Sequence, residues 1–129
     1  MVDAHALIWY LENNPRLGPD ARRALDDSES KLYVPAIALA EACWIAEHGR
    51  SRIPSVQALL ADMDADARVI VVPLDRRVLD VAATLTAIGE MHDRQIVATV
   101  LQLADTRLSV AVLTRDENIT ASGLVEVVW

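Results

Sequence analysis

Along the chain, short β-branched runs alternate with longer stretches whose apolar positions recur every three to four residues. Helical spacing marks HALIWYL after Asp3, GPDARRALDD, PAIALAEACWIAEHG, SVQALLADMDA, DRRVLDVAATLTAIG and DRQIVATVLQLAD. Pro19 falls in the first turn of the second stretch, Pro35 opens the third and Gly49 closes it, and Asp75 stands as the N-cap of the fifth. Between them KLYV, RVIVVPL, VAVL and the terminal VEVVW read as strands. Strands apolar at nearly every position are covered on both faces. Their alternation with helices predicts an α/β fold, a mostly parallel central sheet in a three-layer α/β/α arrangement. Residues 1–129 are expected to form one domain, with a first strand reduced to Met1 and Val2.

VAVL runs directly into Thr114, Arg115, Asp116 and Glu117. Ligands of open parallel sheets sit beyond the carboxyl ends of the strands, so Asp116 stands where a site forms. Three further acids can reach that end. Asp3 follows the first strand and precedes an apolar helix, a position that also suits a cap. Glu41 is the only charge between Ala36 and Ala46, and its neighbours Ile37, Ala38, Trp44 and Ile45 predict a buried helix. A carboxylate there needs an Arg, backbone donors or a metal, because burying it unpaired costs on the order of several kcal/mol. Asp93 begins the stripe Ile96, Val97, Val100, Leu101 and Ala104, either as an N-cap or as a carboxylate facing a site. Asp62, Asp64 and Asp66 have the spacing that opens a calcium loop, yet Ala67 replaces its Gly and Pro73 its closing Glu. They read as a solvated helix end.

Composition narrows the chemistry. A net charge of −7 excludes polyanion binding driven by a basic surface. A nucleic-acid enzyme remains open, since two divalent cations cancel four ligand carboxylates, and all but one of the 12 Lys and Arg residues are Arg, the better partner for phosphate. The single Cys43 and the scattered His5, His48 and His92 give neither disulfides nor zinc-ligand spacing. No Ser or Cys nucleophile pairs with a His at a strand-to-helix elbow, and no Gly-rich phosphate loop occurs. No apolar run nears the ~20 residues of a membrane span, and no signal peptide is visible, so a cytoplasmic protein without membrane contact is expected. Apolar content of 53% exceeds the usual ~45–50%, which points to surface covered by another chain. With no Phe, three Trp and two Tyr, no aromatic platform for stacking bases can be read off.

Taken in order, VDAHALIWYL, YVPAIALAEACWI, DRQIVATVLQLA, LTRDENI and ASGLVEVVW resemble the consecutive signatures of the PIN-domain ribonucleases, in particular the VapC-like toxins of bacterial toxin–antitoxin pairs. The resemblance implies an endoribonuclease that uses Mg²⁺ or Mn²⁺ to hydrolyse RNA, leaving a 5′-phosphate. Asp3, Glu41, Asp93 and Asp116 fall on the family's metal-binding catalytic acids. Thr114 matches a hydroxyl two residues before the last acid, and Asn118 stands where some members carry a further carboxylate; both are expected beside the ligands. The partners implied are RNA, a small antitoxin and a second copy of the chain. Ala4 departs from the Thr or Ser often found after the first acid, which removes a hydrogen bond near the site. Two alternatives stand beside this reading. One is a PIN-like module that binds RNA or a partner without cutting. The other is a phospho-acceptor receiver-like domain, which needs a Lys at the end of a late strand, whereas the single Lys31 precedes a strand.

Overall fold

A computed structural model describes residues 1–106 and 108–129. In chain order these form α1 (Ala4–Leu11), α2 (Pro19–Asp26), β1 (Leu32–Pro35), α3 (Ala36–Glu47), α4 (Val56–Ala65), β2 (Val69–Val72), α5 (Arg76–Thr84), α6 (Met91–Ala104), β3 (Ala111–Leu113), α7 (Glu117–Ser122) and β4 (Glu126–Val128). Each element expected from the apolar pattern is present, and the fold is the α/β arrangement expected.

The sheet is held together at its centre by the first residues of the chain. β1 pairs with β2 and β3 with β4, both parallel. Val2 joins the two pairs: it bridges Leu113 in parallel, and its N–H donates to Tyr33 O at 2.8 Å. The strand order is therefore β2, β1, residues 1–3, β3, β4.

Alternation along the strands shows the layers. Leu32, Val34, Val2 and Leu113 enter a core with Leu7, Ile8, Leu25, Ala42, Ile45 and Leu59, from α1 to α4. Tyr33, Met1 and Val112 point the other way, against Ile96, Val97 and Val100 of α6 and Ile119 of α7. Successive side chains on opposite faces, each with its own core, make the three layers. Val78 and Ala82 of α5 pack on Ala98 of α6 beyond the second core.

Three expectations need correction. α3 is not buried throughout: Ala38, Ala42 and Ile45 form its inward stripe, but Ile37 and Glu41 are half-buried and Trp44 is exposed. Apolar composition ran ahead of the available packing surface. α6 starts at Met91, so Asp93 is its third residue and not its cap. Asp66 is not merely solvated; both of its carboxylate oxygens are gripped by Arg68, whose Nη1 also donates to Leu25 O and Asp27 O. The helix α7 lies in a segment whose sequence is too short and polar to announce one. It exists because Asp116 Oδ1 accepts the N–H groups of Asn118 and Ile119, and because Gly123, at φ 62°, closes it in the left-handed conformation.

Candidate active site

The carboxyl ends of the central strands deliver the acids. Asp3 caps α1, its Oδ1 accepting the Ala4 N–H at 2.6 Å, and its backbone N–H still belongs to the sheet through Leu113 O. Thr114, directly after β3, donates its hydroxyl to Asp3 Oδ2 at 2.7 Å and accepts the Asp116 N–H at 3.0 Å. Asn118, one residue into α7, donates its own N–H to Asp116 Oδ1 at 2.7 Å and its side-chain amide to Asp93 Oδ2 at 3.1 Å. A continuous chain of hydrogen bonds thus runs Asp3, Thr114, Asp116, Asn118, Asp93. The side chains of Thr114 and Asn118 hold the carboxylates of Asp3 and Asp93, and the Asp116 carboxylate accepts the backbone N–H groups of Asn118 and Ile119.

Glu41 lies outside that chain. It stands on the half-exposed face of α3 and accepts no hydrogen bond among the described residues, but it lies within electrostatic range of both Asp3 and Asp93. The four sequence-selected acids therefore share one neighbourhood, three of them wired and one free. Among the described residues none of the four is in an ion pair.

The energetic consequence is visible in their titration. Asp3 and Asp93 are each 8% exposed. Burial pushes the Asp3 carboxyl above the ordinary range, with Asp116 adding to the rise and Thr114, Ala4 and His5 opposing it. Burial likewise raises Asp93, against the Asn118 hydrogen bond and with the charges of Asp116, Asp3 and Glu90. Glu41 is raised by burial and then by Asp3 and Asp93, while His5 and His92 partly compensate. Asp3, Glu41 and Asp93 each resist ionisation, and a nearby positive charge favours the ionised form of such carboxylates.

A hard divalent ion fits this donor set in a particular way. The donors are all oxygen, with Cys43 on the other cluster of packed side chains, among α1 to α4. Among the described residues no three His, Cys, Asp or Glu side chains form a ready cage. Mg²⁺ needs none, since it keeps several waters and is held by one or two carboxylates together with substrate phosphate. Asp93 Oδ1 and Asp116 Oδ2 accept no protein hydrogen bond among the described residues, whereas both oxygens of Asp3 are engaged.

An open cleft of about 550 Å³ leads to these acids, lined by Asp3, His5, Trp9, Arg115, Asp116 and Asn118 among others. The Arg115 guanidinium lies 5.8 Å from the centre of the Trp9 ring, which also packs against His5 and Trp129. Lys31 is exposed before β1, at the opposite ends of the strands, where the receiver-like alternative has no use for it. Trp44 and Arg50 are the neighbours of the site that the sequence did not reveal; only the exposure of one face of α3 makes them visible.

The family model described as PIN domain matches residues 1–122. No curated protein matches the chain.

Proposed function

Because the chain belongs to the PIN-domain family, whose members are generally nucleases, we propose that it is an endoribonuclease dependent on Mg²⁺ or Mn²⁺, acting as the VapC-like toxin of a toxin–antitoxin pair. The observation that carries this reading is the hydrogen-bonded series of acids at the strand ends, none of them in an ion pair among the described residues. When bound, a hard divalent ion supplies Lewis acidity toward the phosphate and toward an attacking water.

The residues divide the work by their geometry. Asp93 and Asp116 would be the direct ligands, each with a carboxylate oxygen that accepts no hydrogen bond among the described residues. Asp3 is held too firmly by Ala4 and Thr114 to swing, so it sets the shape of the acidic edge. Glu41, with no hydrogen bond among the described residues, is the carboxylate best suited to orient the attacking water and take its proton, a role its raised pKa favours. Thr114 and Asn118 keep the acids in register. Arg115 is the cation at the cleft that meets the phosphates of an approaching strand, which an overall charge of −7 otherwise repels.

Exposed apolar side chains support a partner. Ile70 and Val71 on the edge strand β2, with Leu74 and Leu79 beyond it, are between 37% and 47% exposed. We assign to such surface a homodimer and a small antitoxin, and the cell interior as the place of action; among the described residues no helix is long and apolar enough to cross a membrane. A non-cleaving RNA-binding module is the second reading, favoured by the lack of a ready three-ligand cage.

The deciding experiment incubates purified protein with total cellular RNA and Mn²⁺ and maps the ends formed. Cleavage leaving 5′-phosphates, abolished by EDTA and by Asp116→Asn, is expected. Uncut RNA with wild type supports the non-cleaving module, and equal cutting by Asp116→Asn overturns the assignment of the acids.

A further inference from the structure

Arg115 stands where a cation would neutralise the acids. It lies between Thr114, which donates to Asp3, and Asp116, with Glu117 following, and it lines the same cleft as Asp3 and Asp116. A guanidinium in such company ordinarily pairs with a carboxylate, two N–H donors against two oxygens. Among the described residues Arg115 makes no ion pair. Its guanidinium carbon lies instead 5.8 Å from the centre of the Trp9 ring, inside the roughly 6 Å over which an indole face attracts a cation.

The ring that attracts it is itself fixed. Trp9 is buried in α1, His5 one turn before it packs at 5.4 Å with a 57° tilt, and Trp129 meets it at 5.8 Å and 65°. Trp129 is seated in turn against Gly18, where any Cβ would collide with the Trp129 backbone. Residues of α1, the residue before α2 and the residue after β4 thus hold one aromatic face at the cleft.

We propose that Trp9 keeps Arg115 off the acids: its ring face holds the guanidinium beside the cleft, so that Asp3 and Asp116 stay uncompensated for a divalent ion while the same cation remains available to a phosphate. The inference rests on the metal-dependent nuclease reading and adds to it a positioning residue, Trp9, with Arg115 as the group it positions. Without such a device two requirements conflict. A polyanionic substrate calls for a cation near the acids, and a cation seated on the acids competes with the metal. Cation–π attraction resolves this, because it holds the charge through the flat face of the guanidinium and leaves the N–H edges free for phosphate oxygens.

The test reads Mn²⁺ binding alone, as the ion concentration giving half the maximal rise in melting temperature. It compares wild type, Trp9→Leu, Trp9→Phe, Arg115→Ala and the double variant Trp9→Leu with Arg115→Ala. Trp9→Leu removes the π face and lets Arg115 fall onto Asp116 or Asp3, so the half-maximal concentration is expected to rise about tenfold, the lower end of the range for changes around metal ligands. Trp9→Phe keeps a ring face and stays near wild type. The double variant returns to the value of Arg115→Ala alone. A merely structural role of Trp9 would not give that return, since removing an exposed arginine does not repair lost packing. Where Trp9→Leu fails to fold, wild type decides by NMR: the Arg115 side-chain protons resonate upfield of those of a solvated arginine, and ordinary shifts overturn the inference. Unchanged Mn²⁺ affinity in Trp9→Leu, or a double variant no better than Trp9→Leu, overturns it too and leaves the nuclease reading standing. A wild type whose melting temperature ignores Mn²⁺ overturns the nuclease reading, and the inference falls with it.

Discussion

The chain holds two kinds of carboxylate cluster, and they answer to opposite rules. At the end of α4, Asp66 is bound through both oxygens by Arg68, with side chains 29% and 23% exposed, and the same guanidinium satisfies Leu25 O and Asp27 O. Hydrogen bonds from Arg68 hold the Asp66 carboxyl below its ordinary range. At the strand ends, Asp3, Glu41 and Asp93 have no cation partner among the described residues and are all pushed upward, chiefly by burial. One cluster is a finished piece of structure, complete in the folded chain. The other has no cation partner among the described residues, which is what the proposed divalent-ion site requires and a structural ion pair does not show.

Substitutions should separate the two most strongly in activity. Asp93→Asn or Asp116→Asn is expected to remove RNA cleavage by more than the about 10–100-fold that loss of a ligand's supporting partner causes. Arg68→Ala should leave cleavage unchanged. Comparable cleavage by wild type and Asp116→Asn would erase the distinction. Thr114→Val is expected to fall within that 10–100-fold range, because it strips the hydroxyl from Asp3 Oδ2 and from the Asp116 N–H without altering either acid. Its measurement is a cleavage rate at saturating Mn²⁺; an unchanged rate would mean that the hydrogen-bonded series does not position the acids.

In stability the order reverses. Arg68→Ala removes the guanidinium from Asp66, Leu25 O and Asp27 O and should cost about 1–2 kcal/mol in urea unfolding, more than any single acid-to-amide change at the strand ends.

How much of this difference the sequence displays depends on the range of the forces involved. The positions of Asp3 and Asp116 follow from strand ends, and strand ends follow from local apolar runs, so these two acids are legible. Glu41 announces itself by being the only charge in an apolar stretch. The register of Asp93 is less legible, since α6 gains Met91 and His92 upstream, and Met91 is exposed and outside the buried stripe. The helix α7 rests on a cap and a left-handed glycine, both unremarkable in isolation. Asp66 resembled a frayed helix end because its partner lies only two residues on, at Arg68, and the carbonyls that hold that partner come from α2 and the residues after it. The exposed ring of Trp44 is least legible of all. Side-chain type says only that α3 prefers burial, and the packing of β1, α1 and α4 decides which stripe receives it.

The two clusters also predict opposite pH dependences in the metal-free protein. Asp66, with a lowered pKa when folded, contributes stability above the ordinary carboxylate range that is lost as pH falls through its folded value. The raised acids bind protons more readily in the folded state than in the unfolded one. Between the ordinary range and their raised values, stability therefore falls as pH rises, and below that range the penalty is absent. Urea unfolding from acid to neutral pH in EDTA should show this decline in wild type and a shallower one in Asp93→Asn. Parallel curves for the two proteins would contradict a shared repulsion.

The account turns on the strand-end acids being an uncompensated cluster that a divalent ion completes, and thermal melts of wild type and Asp93→Asn near neutral pH, in EDTA and in Mn²⁺, test this most directly. Wild type should melt progressively higher as Mn²⁺ is added, because the ion binds the folded state preferentially. Asp93→Asn should melt no lower than wild type in EDTA, having one fewer repelling charge, and should lose most of the Mn²⁺-induced rise. A marked drop of Asp93→Asn in EDTA, together with an undiminished response to Mn²⁺, would make Asp93 a structural residue of α6 and contradict the account.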